Sequence, residues 1–165
     1  MNMNEKNIFD ISKKTIIITG AAGLLGSEYA KGLSKQGANV VLVDLDIKRC
    51  KEISSELNKK YAVESLAIKL DITKISSIKN MVKIIMKKYN KIDVLINNAA
   101  YQGNDKLRTI PFEELPLKNW NKAIDVNLTG IFLCCQEVGK IMVKQKKGIV
   151  INISSTYGIV APDQR

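Results

Sequence analysis

Five short apolar runs set what this chain can fold into. "KTIIITG", "ANVVLVDLD", "ESLAIKLDI", "KIDVLINNAA" and "IVINIS" are strand-length and rich in β-branched residues. Between them apolar residues recur at helical spacing. Leu24 to Gln36 form the first such stretch, with Gly37 as its C-terminal stop. Ile47, Cys50, Ile53, Leu57 and Tyr61 mark the second, and Ile75, Ile78, Val82, Ile85 and Tyr89 the third. Ile124, Leu128, Ile131, Cys135, Val138 and Met142 mark the longest. Strands that are apolar on both sides need cover on both faces. The alternation therefore predicts an α/β fold, a doubly wound parallel sheet with helices on both faces. No repeat or linker interrupts it, so residues 1–165 read as a single domain.

Ligands of such sheets bind beyond the carboxyl ends of the strands. Here those ends carry Gly20, Asp44, Asp71, Asn97-Asn98 and Ser154-Ser155. In "TGAAGLLG", Gly20, Gly23 and Gly26 follow the first strand and open the first helix. That arrangement gives a tight turn, close backbone approach to a pyrophosphate, and free N–H groups at a helix start. Asp44 ends the second strand, where a carboxylate accepts from a ribose 2′-hydroxyl and repels a 2′-phosphate, favouring NAD over NADP. Lys48 and Arg49 could reach such a phosphate but read as the exposed first turn of the next helix, and Asp46 reads as surface. Asp71 also suits a helix N-cap. Asn97 and Asn98 are buried amides that need partners, so we expect one to cross-link the sheet and the other to face a ligand. Asn127 interrupts the apolar stripe of the longest helix, as a structural amide or as one that holds a water or a catalytic group. Residues from about Tyr101 to Lys118 read as an irregular segment over the site.

Several function classes are excluded. The net charge of +10 comes from lysines spread over several helices, with few aromatics, so no nucleic-acid platform is expected. There is no histidine and no Cys-x-x-Cys among Cys50, Cys134 and Cys135, which removes Ser-His-Asp and Cys-His triads and any zinc site. No metal is expected. No apolar run is judged long enough to span a membrane, and "MNMNEKNIFDISKK" lacks a signal-peptide core, so a cytoplasmic location is expected.

"TGAAGLLG", "VVLVDLD", "LDIT", "LINNAA", "DVNLTGIF" and "GIVINISS", in this order and spacing, resemble the short-chain dehydrogenase/reductase family over nearly the whole chain. The resemblance implies a Rossmann-like sheet and an NAD(P)-dependent oxidoreductase acting on an alcohol or carbonyl substrate, with dimers or tetramers at full length. It implies a cofactor loop at Gly20, Ala22, Gly23, Leu25 and Gly26, with Asp44 on the adenosine ribose. Asp71 and Ile72 would lie near the adenine, and Asn98 and Ala99 along the nucleoside. Asn127 and Ser155 match the asparagine and serine of the family's catalytic tetrad, with Ser154 the alternative one residue away. Leu24 stands where the family's common loop has glycine, so the glycine spacing is closer to the epimerase-like branch. Ala100 also replaces a usual glycine.

The family's Tyr-x-x-x-Lys pair is missing. The residues four beyond the five tyrosines are Leu33, Ser65, Asp93, Asp105 and Ala161. Tyr157 lies too near Ser155 for that role and is expected to shape the pocket mouth. We therefore expect the N-terminal part of a longer enzyme, incomplete at the C-terminal end of its sheet and inactive alone. Its fifth strand would be an open edge. A non-catalytic NAD-binding or interaction module and an epimerase-like enzyme are the alternatives. Gln102, Asn104, Lys106, Arg108 and the polar "APDQR" suggest a hydroxylated or acidic substrate such as a sugar derivative.

Overall fold

The computed structural model describes residues 9–103, 110–155 and 158–160. Five strands, β1 (Thr15–Thr19), β2 (Asn39–Asp44), β3 (Leu66–Lys69), β4 (Val94–Asn97) and β5 (Ile149–Asn152), form one parallel sheet in the order β3-β2-β1-β4-β5. Between them run α1 (Leu24–Lys35), α2 (Ile47–Tyr61) and α3 (Ile75–Tyr89). A 3₁₀ turn at Phe112–Glu114 leads to α4 (Leu117–Ile124), a π-helical stretch (Asp125–Gly130) and α5 (Ile131–Gln145). The strand order reverses between β1 and β4, which opens a crevice beyond their carboxyl ends.

The two-residue period of the central strands divides the core. Ile17, Val41 and Val43 point to one face and pack with Ile78, Met81 and Ile85 of α3 and Cys134, Val138 and Met142 of α5. Ile16, Ile18, Val40 and Leu42 point to the other and pack with Ala30 of α1 and Cys50, Ile53 and Leu57 of α2. Both faces are covered, as the alternation predicts. Burial drives the thiols of Cys50 and Cys134 up to about 12, and Asp44 and Cys135 respectively add to the shift. These two cysteines are core side chains.

The long helix departs from its expected stripe. The π-helical stretch inserts an extra residue per turn, which rotates everything before it. Gly130, Cys134, Val138 and Met142 face the core, whereas Leu128 is 64% exposed and Asn127 is exposed too. Asn127 is therefore not on a core-facing stripe. Leu117–Gln145 form 29 continuous helical residues with mean hydropathy 1.3 over their most apolar part, long and apolar enough to cross a membrane. This overturns the expectation that no stretch would reach that length. The helix lies against α3 and the sheet as a layer of the fold.

Two polar clamps tie this helix to β4. At one end, the Gln145 amide accepts from Ile92 N–H (3.0 Å) and donates to Ile92 C=O (2.9 Å). At the other, the Asn127 amide accepts from Tyr101 N–H (2.7 Å) and donates to Tyr101 C=O (2.9 Å). Beyond β4, the edge strand β5 is apolar and open. Ile149, Val150 and Ile151 are 60%, 41% and 42% exposed, and Phe132 and Val143 of α5 are exposed as well.

Candidate functional site

Two adjoining clefts lie at the carboxyl ends of the central strands, sharing Gly20, Asp44, Ala99 and Ala100. The first, of about 500 Å³, is lined by Gly20, Gly23, Leu24, Leu25, Gly26, Asn98 and Gln102 with the shared acid and alanines. Gly20 has φ +66°, and a Cβ there would lie 2.8 Å from Ala99 Cα, so only glycine fits. At Gly26 a Cβ would lie 2.8 Å from Ala21 Cα and overlap the Gly20 carbonyl, so α1 rests directly on the turn. Gly23 is the N-cap of α1 at φ −74°, and no side chain caps the helix. The first-turn N–H groups therefore face the cleft with the positive end of the helix dipole behind them, a ready anion site.

Asp44 holds this turn in place. One oxygen accepts from Ala22 N–H (3.1 Å) and the other from Asp46 N–H (3.0 Å). The side chain thus joins the β1–α1 and β2–α2 turns at the mouth of both clefts. Asp46 caps α2 by accepting from Arg49 N–H at 3.0 Å, and the Arg49 guanidinium is paired with Glu52 at 3.1 Å. Arg49 is thus occupied away from Asp44.

The second cleft, of about 230 Å³, is bounded by Val43, Leu45, Leu70, Asp71, Ile72 and Thr73 on one side and by Tyr101, Lys122 and Val126 on the other. Asp71 accepts from Thr73 N–H (3.0 Å) and Thr73 Oγ1 (2.6 Å), and these bonds, with Lys74 nearby, hold its carboxyl below the usual range. Asp71 is not the helix N-cap that its sequence context suggests. The N-cap of α3 is Lys74, three residues on, and Asp71 closes a local turn instead. Ile72 packs on Gly130, where a Cβ would come within 2.7 Å of its side chain.

Both asparagines at the end of β4 make cross-links, and Asn98 also lines the first cleft. Asn97 donates to Asn152 Oδ1 (2.8 Å) and Cys135 Sγ (3.3 Å). The Asn98 side chain donates to the carbonyls of Thr19 (3.0 Å) and Gly20 (3.2 Å). Sequence reasoning passed over Thr19, whose buried hydroxyl accepts from the N–H groups of Asn98 and Ala99, both at 3.0 Å. Its one sequence signal is a hydroxyl directly before the glycine turn.

Ser154 and Ser155 lie past the end of β5, and Ser155 C=O accepts from Gly158 N–H at 2.9 Å. Neither serine lines the two clefts among the described residues. Asn127 reaches the site through the Tyr101 main chain. Tyr157, Asn104, Lys106, Arg108 and all of "APDQR" lie outside the described residues.

A family model for short chain dehydrogenases matches residues 14–164. The chain belongs to the short-chain dehydrogenase/reductase family. This family of oxidoreductases includes a 5-keto-D-gluconate 5-reductase of Escherichia coli (strain K12), 38% identical over 95% of this chain and 59% of its own length. An NAD-dependent glycerol dehydrogenase of Listeria innocua is 35% identical over 94% of this chain and 58% of its own. The crystal structure of an NAD+-bound xylitol dehydrogenase superposes with a TM-score of 0.85, at 26% identity, over 92% of this chain and 56% of that one. This short-chain dehydrogenase/reductase chain thus spans under two thirds of the length of the relatives it matches.

Proposed function

We propose that this chain forms the NAD-binding part of an oxidoreductase that moves a hydride between the cofactor and a hydroxylated alcohol or carbonyl substrate such as a sugar derivative. The observation that carries the reading is the turn at Gly20–Gly26. Its glycines occupy positions a Cβ would block, an uncapped helix start faces the cleft, and Asp44 braces both from the end of β2. These residues suit a dinucleotide. The turn and the first turn of α1 would hold the pyrophosphate, Asp44 the adenosine ribose, and Ala99 the nucleoside. The cofactor, when bound, accepts or donates the hydride.

The chain's own residues bind and orient. Asp44 already accepts from two N–H groups, and an added 2′-phosphate would meet its negative charge, which supports NAD over NADP. Asn127 fixes the Tyr101 main chain and with it the far wall of the cleft. Ser155 would orient the substrate oxygen, with Asn127 anchoring a water relay. No Tyr-x-x-x-Lys pair stands among these residues to move the proton, so we propose that the 165-residue chain alone binds NAD weakly and turns nothing over. The gluconate, glycerol and xylitol relatives support a polyol or sugar-acid substrate. A panel of polyols, sugar acids, steroids and fatty-acyl alcohols with NAD tests this, using the 165-residue chain and any longer form of the protein. Turnover by the chain alone refutes its inactivity, and a longer form that favours steroids or acyl substrates refutes the substrate class.

A further inference from the structure

On its other side the sheet ends at β3, and this edge is built differently from β5. Leu70 N–H donates to Asp44 C=O at 2.9 Å. Hydrogen-bonding direction alternates along a strand, so Leu66, Ile68 and Leu70 turn their main-chain groups to β2, with Leu66 opposite Val41 and Ile68 opposite Val43. Ser65, Ala67 and Lys69 turn theirs outward. At Ser65 the Asn58 side chain fills the place of a neighbouring strand: its amide accepts from Ser65 N–H (2.6 Å) and donates to Ser65 C=O (3.2 Å). Ala67 and Lys69 have no such partner among the described residues. In the usual doubly wound order a further strand adds beyond β5, not beyond β3.

A groove of about 580 Å³ runs along this edge between α2 and β3. Lys51, Ser54, Ser55 and Lys59 of α2 line it opposite Leu66 and Ala67, and no lining residue is acidic. Lys51 and Lys59 are exposed and enter no ion pair among the described residues. Lys69 shares the face of the strand that Ala67 turns to α2, and it too is exposed and unpaired among those residues. The groove is therefore cationic and lies beside an open strand edge. A second copy of the same edge would set lysine against lysine, so the charge opposes self-pairing and selects an acidic strand. Lys51 and Lys59 stand two turns apart on α2, about 12 Å along a helix. Residues four apart in an extended chain share a face and are separated by about 13 Å.

We propose that the β3 edge is a docking site for an extended acidic segment of a partner protein. The segment adds as a new outer strand and exchanges main-chain hydrogen bonds with Ala67 and Lys69. Acidic side chains four residues apart on its groove face meet Lys51 and Lys59, and one between them accepts from the Ser55 hydroxyl. None of these residues lines the two clefts, so the assignment does not depend on which cofactor they hold.

The test is amide hydrogen exchange by NMR on the 165-residue chain and on any longer form of the protein, with the peptide Ac-TETETET-NH2 in excess as the probe. The expected result is that the Ala67 and Lys69 amides slow about fivefold or more, while those of Leu66 and Ile68, already bonded to β2, change less than about twofold. Lys51→Glu combined with Lys59→Glu should weaken the peptide about tenfold, the effect of two exposed pairs turned from attraction to repulsion. Ac-TKTKTKT-NH2, of opposite charge, and polyphosphate, which has no peptide backbone, should leave both amides unchanged. Equal slowing by the cationic peptide would remove the charge selection, and slowing by polyphosphate would make the groove a general polyanion site; either overturns the proposal. It is overturned as well if the acidic peptide fails to bind, binds without slowing these two amides, or binds the doubly charge-reversed variant as tightly as the wild type.

Discussion

Gly20→Ala and Gly32→Ala make the same chemical change within thirteen residues and should have opposite effects. At Gly20 the new methyl meets two costs. The backbone is left-handed at φ +66°, which strains an L side chain by roughly 1 kcal/mol or more. The Cβ would also lie 2.8 Å from Ala99 Cα and 3.1 Å from Ala99 N, backbone atoms that cannot yield by rotating. Forcing β1 and β4 apart at this point adds about 1–3 kcal/mol of overpacking. The total of about 2–4 kcal/mol is a large share of a domain's usual 5–15 kcal/mol. Gly32 sits on the exposed side of α1 with nothing within 4 Å of an added Cβ. Alanine there should stabilise by about 0.5–1 kcal/mol through helix propensity. Urea denaturation followed by circular dichroism reads both. If the two variants unfold at the same midpoint with equal slopes, the close approach of the glycine turn to the end of β4 is wrong.

Other outcomes follow from the same contacts. Asp93 accepts from Thr15 N–H at 2.9 Å and pairs with Lys91 and Lys14, and these partners outweigh burial to leave its carboxyl below the ordinary value. A lowered carboxyl pKa stabilises the fold above the unfolded value near 4 and loses that contribution as pH falls through the folded value. Asp93→Ala should therefore cost about 2 kcal/mol at pH 7 and far less at pH 2–3, measured by denaturation at both. Asn127→Leu should cost about 1–3 kcal/mol and speed hydrogen exchange at the Tyr101 amide, whereas unchanged exchange would contradict the clamp. Ile149→Lys on the open edge strand should reduce self-association of the chain in sedimentation, and an unaltered profile would show that the β5 edge does not drive it.

The fold was legible because strand burial leaves a continuous apolar signature. The runs at Thr15–Thr19 and Asn39–Asp44 could only be central strands, and Gly37, at φ +82°, marked the end of α1. Gly20 and Gly26 were legible because only glycine tolerates such contacts. The long helix was misread because a π-helical turn has no residue signature of its own in "DVNLTG", so counting at 3.6 per turn from Ile124 drifted off the buried face. The helix-cap alternative for Asp71 fails because an acid after a strand serves equally as a cap or in a local turn, and Thr73 decided between them. The Lys122–Tyr101 contact and the Gln145 clamp join residues 21 and 53 apart in the chain, and no local pattern announces either. The segment that suggested a sugar-type substrate falls largely outside the described residues.

The most direct test of the account is to titrate NAD and NADP into the protein, with Asp44→Ala alongside the wild type. The account predicts that NAD binds more tightly than NADP and that Asp44→Ala removes most of that preference while weakening NAD. Equal binding of the two cofactors by the wild type, or a preference for NAD that survives the loss of Asp44, would contradict it.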